Sequence, residues 1–145
     1  MVALTYSLMI HDCRDELRNI SLKATPARVA VLKFLEKTEK PVDVATMIED
    51  LERNNIKADQ ATVFRIISVF TDRGLTRQIE LNEGKSRYEL RSLPHHHHAV
   101  CTTCGAVQDI GHCEVRGIEK KVKRHLGFTT NNHKVELFGI CANCQ

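Results

Sequence analysis

Tryptophan is absent from this chain and aromatic residues make up only 5% of it, yet hydrophobic residues reach 42%, enough for a packed core. No apolar stretch runs beyond a few residues, against the ~20 that a bilayer span requires, so no membrane-spanning helix is expected. The first ten residues are mildly apolar, lack a basic region and are interrupted at once by His11 and Asp12. They do not read as a signal peptide, and a cytoplasmic protein is expected. Strong charge of either sign is also missing. The net charge is +3, with 15 Lys/Arg against 14 Asp/Glu in residues 1–92 and 6 against 4 in residues 93–145. Bulk electrostatics neither demands nor forbids a nucleic-acid partner, so DNA binding has to be argued from pattern. No general base stands beside an open zinc position in the manner of HExxH, and an enzyme is not expected.

What is present changes character near Arg91-Ser92-Leu93-Pro94. Upstream, the pattern is helical. A first helix is expected over about His11 to Asn19. Thr25 is a good N-cap with Pro26 at the first helical position, and Val29, Val31, Leu32 and Leu35 form an apolar stripe ending near Lys37 to Glu39. A third helix follows Asp43 and buries Val44, Met47, Ile48 and Leu51. A fourth follows Asp59 and runs to Arg73, with Val63, Ile66, Ile67 and Phe70 inward and Gly74 as its stop. The period then switches to two. Leu75, Arg77, Ile79 and Leu81 alternate, Asn82-Glu83-Gly84-Lys85 turns, and Arg87-Tyr88-Glu89-Leu90 returns. Helices followed by a two-stranded hairpin are the layout of a winged helix-turn-helix. The inward stripe leaves Gln60, Ala61, Phe64, Arg65 and Ser68 on or near the outward face of the fourth helix, where a recognition helix meets base edges.

Downstream, strands are expected around His97 to Cys101 and Ala106 to Ile110, a helix from about Glu114 to Leu126, and a strand from Thr130 to Phe138. A unit of about 50 residues is too small to be comfortable alone and calls for a metal, a partner, or both. The fold expected is therefore α+β: a winged helix-turn-helix over residues 1–90 followed by a small α/β unit over residues 96–145.

Five of the six cysteines lie in the last third, and in a reducing compartment paired CxxC spacings favour metal over disulfide. Cys101-x-x-Cys104 and Cys141-x-x-Cys144 offer zinc the four thiolates of a tetrahedral site, with Gly105 suiting the tight knuckle. The 36 residues between the pairs mean that the ion would tie the tail back to the start of the second half. Two redox dithiols would need a βαβ context that is missing. In His95-His96-His97-His98, an extended backbone would place His95 and His97 on one face and His96 and His98 on the other, which suggests two sites. Glu89, Asp109, Glu114 and His133 complete the donor inventory, and His/carboxylate mixtures suit Fe(II), Mn(II) or Zn(II). His11, Cys13, His112, Cys113 and His125 rank below these.

Taken together, these features resemble the ferric-uptake-regulator family, over about residues 15 to 145. The resemblance is carried by Lys23-Ala24-Thr25-Pro26-Ala27-Arg28, Ala61-Thr62-Val63-Phe64-Arg65, Gly74-Leu75, Arg87-Tyr88-Glu89-Leu90 and the histidine run. It continues through Cys101-Thr102-Thr103-Cys104-Gly105, Gly127-Phe128, His133 and Gly139-Ile140-Cys141-Ala142-Asn143-Cys144. It implies a metal-responsive repressor acting as a homodimer on double-stranded DNA with an AT-rich inverted repeat, with a hinge over 91–95, a dimerisation and metal-binding domain over 96–145, and structural zinc on Cys101, Cys104, Cys141 and Cys144. It also implies a regulatory metal on Glu89, His96 and His98, and a second site on His95, His97 and His133 with Glu114 or Asp109. For DNA it implies contacts from Lys23, Arg28, Gln60, Ala61, Thr62, Phe64 and Arg65. Three departures bear on the metal. Lys40 stands where the family often supplies a His, which leaves room for a substitute such as His11. Arg91 and Ser92 occupy the stretch where zinc sensors place a Cys, and Glu89 stands where peroxide sensors carry Asp. In addition, Phe64 replaces a Tyr. These features rank iron first as the regulatory ion, then zinc or manganese, then a peroxide sensor. A metal store would leave the winged-helix half without a role.

Overall fold

The computed structural model of the chain describes residues 12–145, so the expectations placed on His11 lie outside the described residues. Four helices come first: α1 (Cys13–Asn19), α2 (Pro26–Lys37), α3 (Val44–Arg53) and α4 (Gln60–Asp72). Each begins on a side-chain acceptor. Asp12, Thr25, Asp43 and Asp59 take up the N–H groups of Arg14, Arg28, Thr46 and Thr62, donors that the helix geometry leaves without partners. The helices pack about Leu17, Leu32, Met47, Leu51, Val63 and Phe70, all at 1% exposure or less. Helix α4 is followed by its C-cap Arg73, and Gly74 turns the chain with a φ of 73°, a left-handed value that a side chain would oppose.

Strands β1 (Thr76–Glu80) and β2 (Ser86–Leu90) then form an antiparallel hairpin in which Arg77 lies opposite Glu89. Val42, just ahead of α3, bridges to Tyr88 and anchors this wing to the helices. The remainder is a three-stranded sheet in the order β4-β3-β5, made from β3 (His97–Cys101), β4 (Val107–Ile110) and β5 (Glu136–Gly139). Strand β3 pairs antiparallel with β4 and parallel with β5, and helix α5 (Arg116–Leu126) makes the crossover. Ile79 and Leu81 of the wing end pack with Val100 and Val107 of this sheet, a small apolar cluster joining the two halves.

Two boundaries differ from expectation. Helix α5 starts at Arg116 rather than Glu114, on a Val115 that offers no side-chain cap. Strand β5 is limited to four residues, leaving His133 in the irregular segment before it rather than within a strand. In the histidine run only His97 and His98 are strand residues, although the alternation of faces extends through all four. Helix α5 has no buried residue, and Ile118, Leu126, Phe128, Leu137, Phe138 and Ile140 are exposed.

Asp43 does two things at once: it caps α3 through Thr46 and pairs with Lys85 of the wing turn. Burial alone would raise its carboxyl, but Lys85 and Thr46 outweigh burial and hold it at about 2. Asp43→Ala is therefore expected to cost about 1–2 kcal/mol, most of it the lost cap because Lys85 is half exposed. A depressed native pKa contributes stability that is complete above the unfolded value of roughly 4 and is lost as pH falls through the folded one. Urea midpoints of the wild type and the variant should differ at neutral pH and converge between about pH 4 and pH 2. A gap that persisted at the acid end would show that the Asp43 charge is not its source.

Candidate metal centres and nucleic-acid interface

The parallel register of β3 and β5 pairs Cys101 with Gly139, which brings both CxxC segments to the same end of the sheet. Thr102 donates its N–H to the Gly139 carbonyl at 2.8 Å, and Gly105, with a φ of 72°, turns the first knuckle so that its N–H returns to the Cys101 carbonyl at 2.9 Å. The four sulfurs of Cys101, Cys104, Cys141 and Cys144 all lie within 4.8 Å of one another. Backbone N–H groups of Cys141 and Cys104 pull the Cys101 thiol down to about 6. The neighbouring thiols of Cys141 and Cys104 push Cys144 up to about 12. One thiolate forms readily and then opposes the others, so four can coexist only around a cation. The donor set and its compactness fit tetrahedral zinc.

A second group forms where the wing meets the sheet. Glu89 is 4% exposed, and its Oε1 accepts from Arg77 Nε at 2.6 Å across the hairpin. Its Oε2 lies 3.1 Å from His96 Nε2 and 3.4 Å from His98 Nε2. Burial by itself would raise the Glu89 carboxyl, but the His98 imidazole, the Arg77 guanidinium and the His96 ring hold it at about 2. His96 Nδ1 donates to the Pro94 carbonyl at 2.6 Å, which orients the ring and turns its Nε2 toward the Glu89 carboxylate. At 3.1 Å this nitrogen and the carboxylate oxygen need a proton or a metal ion between them. His98 Nε2 is buried and aligned with no hydrogen-bond partner. This nitrogen–oxygen set therefore suits a divalent cation of the iron, manganese or zinc kind. Asp109, opposite His98 in the β3–β4 register, comes within 3.7 Å of it and belongs to this group rather than to the other histidines. Lys40 is exposed and contributes nothing here, while Arg77, which the sequence reading passed over, supplies the cation beside Glu89.

On the opposite face of the same segment, His95, His97, His133 and Cys113 gather with their donor atoms within 4.8 Å of one another. His95 Nε2 lies 2.8 Å from His133 Nε2, and Cys113 Sγ lies 3.0 Å from that nitrogen. Burial and then the surrounding imidazoles of His95, His133, His96 and His98 hold the His97 ring below its ordinary value, in the neutral form that binds metal. Glu114 does not join. It is exposed in the turn before α5, and Glu119, one turn into the helix, reaches His133 Nδ1 at 2.8 Å instead. The two carboxylates cannot be told apart by spacing until the start of the helix is known. Cys113 carried no spacing signal either, since it belongs to no CxxC pair and is brought in by the loop between β4 and α5. Both histidine groups open onto one cleft of about 250 Å³ between the wing and the C-terminal sheet. The other lower-ranked residues among those described stay apart. Cys13 is buried among the helices, where burial and Glu36 push its thiol up to about 12, and His112 and His125 are exposed outside the clusters.

On the helical half, Gln60, Ala61, Phe64, Arg65 and Ser68 are exposed along the start of α4, and Thr62 is half-buried against its cap Asp59. Phe64 is 45% exposed, an apolar ring kept out of the core. It lines a shallow groove with Arg65, Ser68, Gln78 and Tyr88, so the helix and the wing share one surface. Lys23 is exposed ahead of α2, and Arg28 Nη1 donates to its carbonyl at 3.0 Å, fixing the loop that carries it.

Among the described residues no helix is long and apolar enough to cross a membrane. Comparison with known proteins places this architecture. The ferric uptake regulation protein of Bordetella parapertussis is 32% identical over 133 residues, covering 91% of this chain and 96% of that protein. The peroxide-responsive repressor PerR of Staphylococcus saprophyticus is 26% identical, covering 97% and 95% respectively. In three dimensions, the ferric uptake regulator of Vibrio cholerae matches with a TM-score of 0.79 at 27% identity, over 90% of this chain and all of that one. The sequence profile of the ferric uptake regulator family matches residues 19–138, and the chain belongs to that family.

Proposed function

We propose that this chain is a metal-responsive, DNA-binding transcriptional repressor in which Glu89, His96 and His98 hold the regulatory ion and Cys101, Cys104, Cys141 and Cys144 hold structural zinc. The observation that carries the reading is the convergence of Glu89, from the wing, with His96 and His98, from beyond the hinge, inside one buried cluster. Bound there, a divalent ion supplies a crosslink between the DNA-reading half and the sheet. Every donor in this group is nitrogen or oxygen, which supports Fe(II) first and Mn(II) or Zn(II) after it. The family membership and relatives called ferric uptake regulation proteins point the same way.

The partner proposed for the apolar residues of α5 and β5 is a second copy of the chain. Ile118, Leu126, Phe128, Leu137, Phe138 and Ile140 are too many large side chains for one small unit to leave in water. In a dimer, two α4 helices present Gln60, Ala61, Phe64 and Arg65 to successive major-groove faces of an AT-rich inverted repeat, and Lys23 adds a backbone or minor-groove contact. Arg77 holds the Glu89 carboxylate in place by a hydrogen bond, and Asp109 lies 3.7 Å from His98 Nε2. Shifting a hinge from mostly open to mostly closed needs about 5.5 kcal/mol of differential binding, within reach of one chelated ion. A metal store, the alternative, gives the exposed Phe64–Arg65 surface nothing to do.

The test is fluorescence anisotropy of a duplex from the chain's own upstream region, at fixed salt and without oxygen, with Fe(II), Mn(II) or Zn(II) supplied in turn. The double variant His96→Ala, His98→Ala should keep its cysteine-bound zinc and its fold while losing roughly 5–150-fold in metal-dependent affinity, the usual range of coupling between sites. Metal-dependent binding that survived in that variant would sink the site assignment. Cys101→Ser should instead lose tightly held zinc and the cooperative unfolding of the C-terminal sheet, read by metal analysis and thermal melting. Full zinc content in Cys101→Ser would remove the four-cysteine site from the reading.

A further inference from the structure

The cluster on the second face of the histidine run contains a sulfur, which a site built for iron or manganese has no need of. Taking that cluster as the second metal site that the family resemblance implies, we infer that Cys113 is one of its ligands. With His95, His97 and His133 it completes a closed site of three imidazoles and one thiolate that selects zinc-class ions, in contrast to the nitrogen–oxygen group at Glu89.

Geometry supports this. Tetrahedral zinc, with bonds of about 2.0–2.1 Å to nitrogen and about 2.3 Å to sulfur, separates two nitrogens by about 3.3 Å and a nitrogen from a sulfur by about 3.6 Å. The His95–His133 nitrogens at 2.8 Å and the Cys113–His133 pair at 3.0 Å need only a slight outward movement to reach those values. The three rings surround one point, with centroids 4.6 Å apart for His95–His97, 4.6 Å for His95–His133 and 5.2 Å for His97–His133.

The tautomer of His133 is set for coordination. Glu119 Oε1 lies 2.8 Å from its Nδ1, and a carboxylate can only accept, so Nδ1 carries the proton. Nε2 is then an open lone pair directed at both His95 and Cys113. Glu119 is thereby committed to the far nitrogen, where it orients the ring as a positioning residue and leaves the fourth place to sulfur. His97 supplies the remaining sign of an unfinished site: its Nε2 is buried, the residue is 4% exposed, and that nitrogen has no hydrogen-bond partner. A metal ion would satisfy it.

Selectivity follows from softness. Thiolate favours zinc over iron(II) and manganese(II), whereas the Glu89 group offers no sulfur. The two faces of one strand would therefore respond to different ions, and the second would load with zinc independently of the first.

Cobalt(II) tests the assignment because a thiolate ligand produces a near-ultraviolet sulfur-to-cobalt charge-transfer band and tetrahedral geometry produces intense visible absorption. The full chain carrying His96→Ala and His98→Ala, with zinc in its four-cysteine site, is titrated anaerobically with cobalt(II), alone and with Cys113→Ser added. One equivalent should bind with both signatures. Cys113→Ser should remove the charge-transfer band and weaken cobalt by at least the 10–100-fold typical of losing even an orienting partner. Binding without the band would leave a second metal site but overturn Cys113 as its ligand. A band unchanged in Cys113→Ser would come from exchange at the four cysteines and would also overturn the inference. Absence of any cobalt uptake would overturn the second site itself.

Discussion

Strand β3 is hydrogen-bonded on both edges, to β4 on one side and β5 on the other, and successive side chains along it must leave the sheet on opposite faces. That alternation reaches back through the irregular residues His95 and His96, and it sorts four adjacent histidines into two groups that share no ligand. The same strand ends on Cys101, whose partner cysteines arrive through the parallel pairing with β5. All three candidate metal centres thus hang on the register of one short strand. A slip of one residue would exchange the two histidine faces and pull Cys101 away from Cys141.

Charge explains why that strand is coupled to the wing. A carboxylate as buried as Glu89 is costly unless cations or donors surround it, and here the compensation comes from both halves of the chain. Arg77 answers it from across the hairpin, and His96 and His98 from beyond the hinge. The apolar contact between halves is slight: Ile79 and Leu81 pack against Val100 and Val107. A polar cluster set beside so small an apolar joint can govern the relative placement of the two halves without first overcoming a large packed interface.

The helical half is a self-sufficient core, with four side-chain caps and a contiguous set of buried aliphatics. The C-terminal unit is the reverse. Its single helix buries nothing within the chain, and its sheet has only three strands. Metal ligation and a second copy are the two resources that compensate for such a deficit in small domains, and this unit presents donors for the first and apolar surface for the second.

Local physics was enough to read much of this from residues alone. Caps at Thr25, Asp43 and Asp59, the stripe of α4, the stop at Gly74 and the wing turn follow from hydrogen-bond chemistry and periodicity within a few residues of sequence. The two CxxC pairs and the period-2 division of the histidines are equally local. What the sequence could not supply was anything that depended on where separate segments meet. Asp109 faces His98 because of the β3–β4 register, and Arg77 faces Glu89 because of the hairpin register. Glu119 rather than Glu114 reaches His133 because α5, lacking a side-chain cap, begins two residues later than its polarity suggests. Cys113 enters the histidine cluster through a loop whose path no spacing rule encodes. Donor types were written in the sequence, but the choice among them was made by tertiary packing, because coordination requires atoms to converge within a few ångströms and only the folded chain decides which ones do.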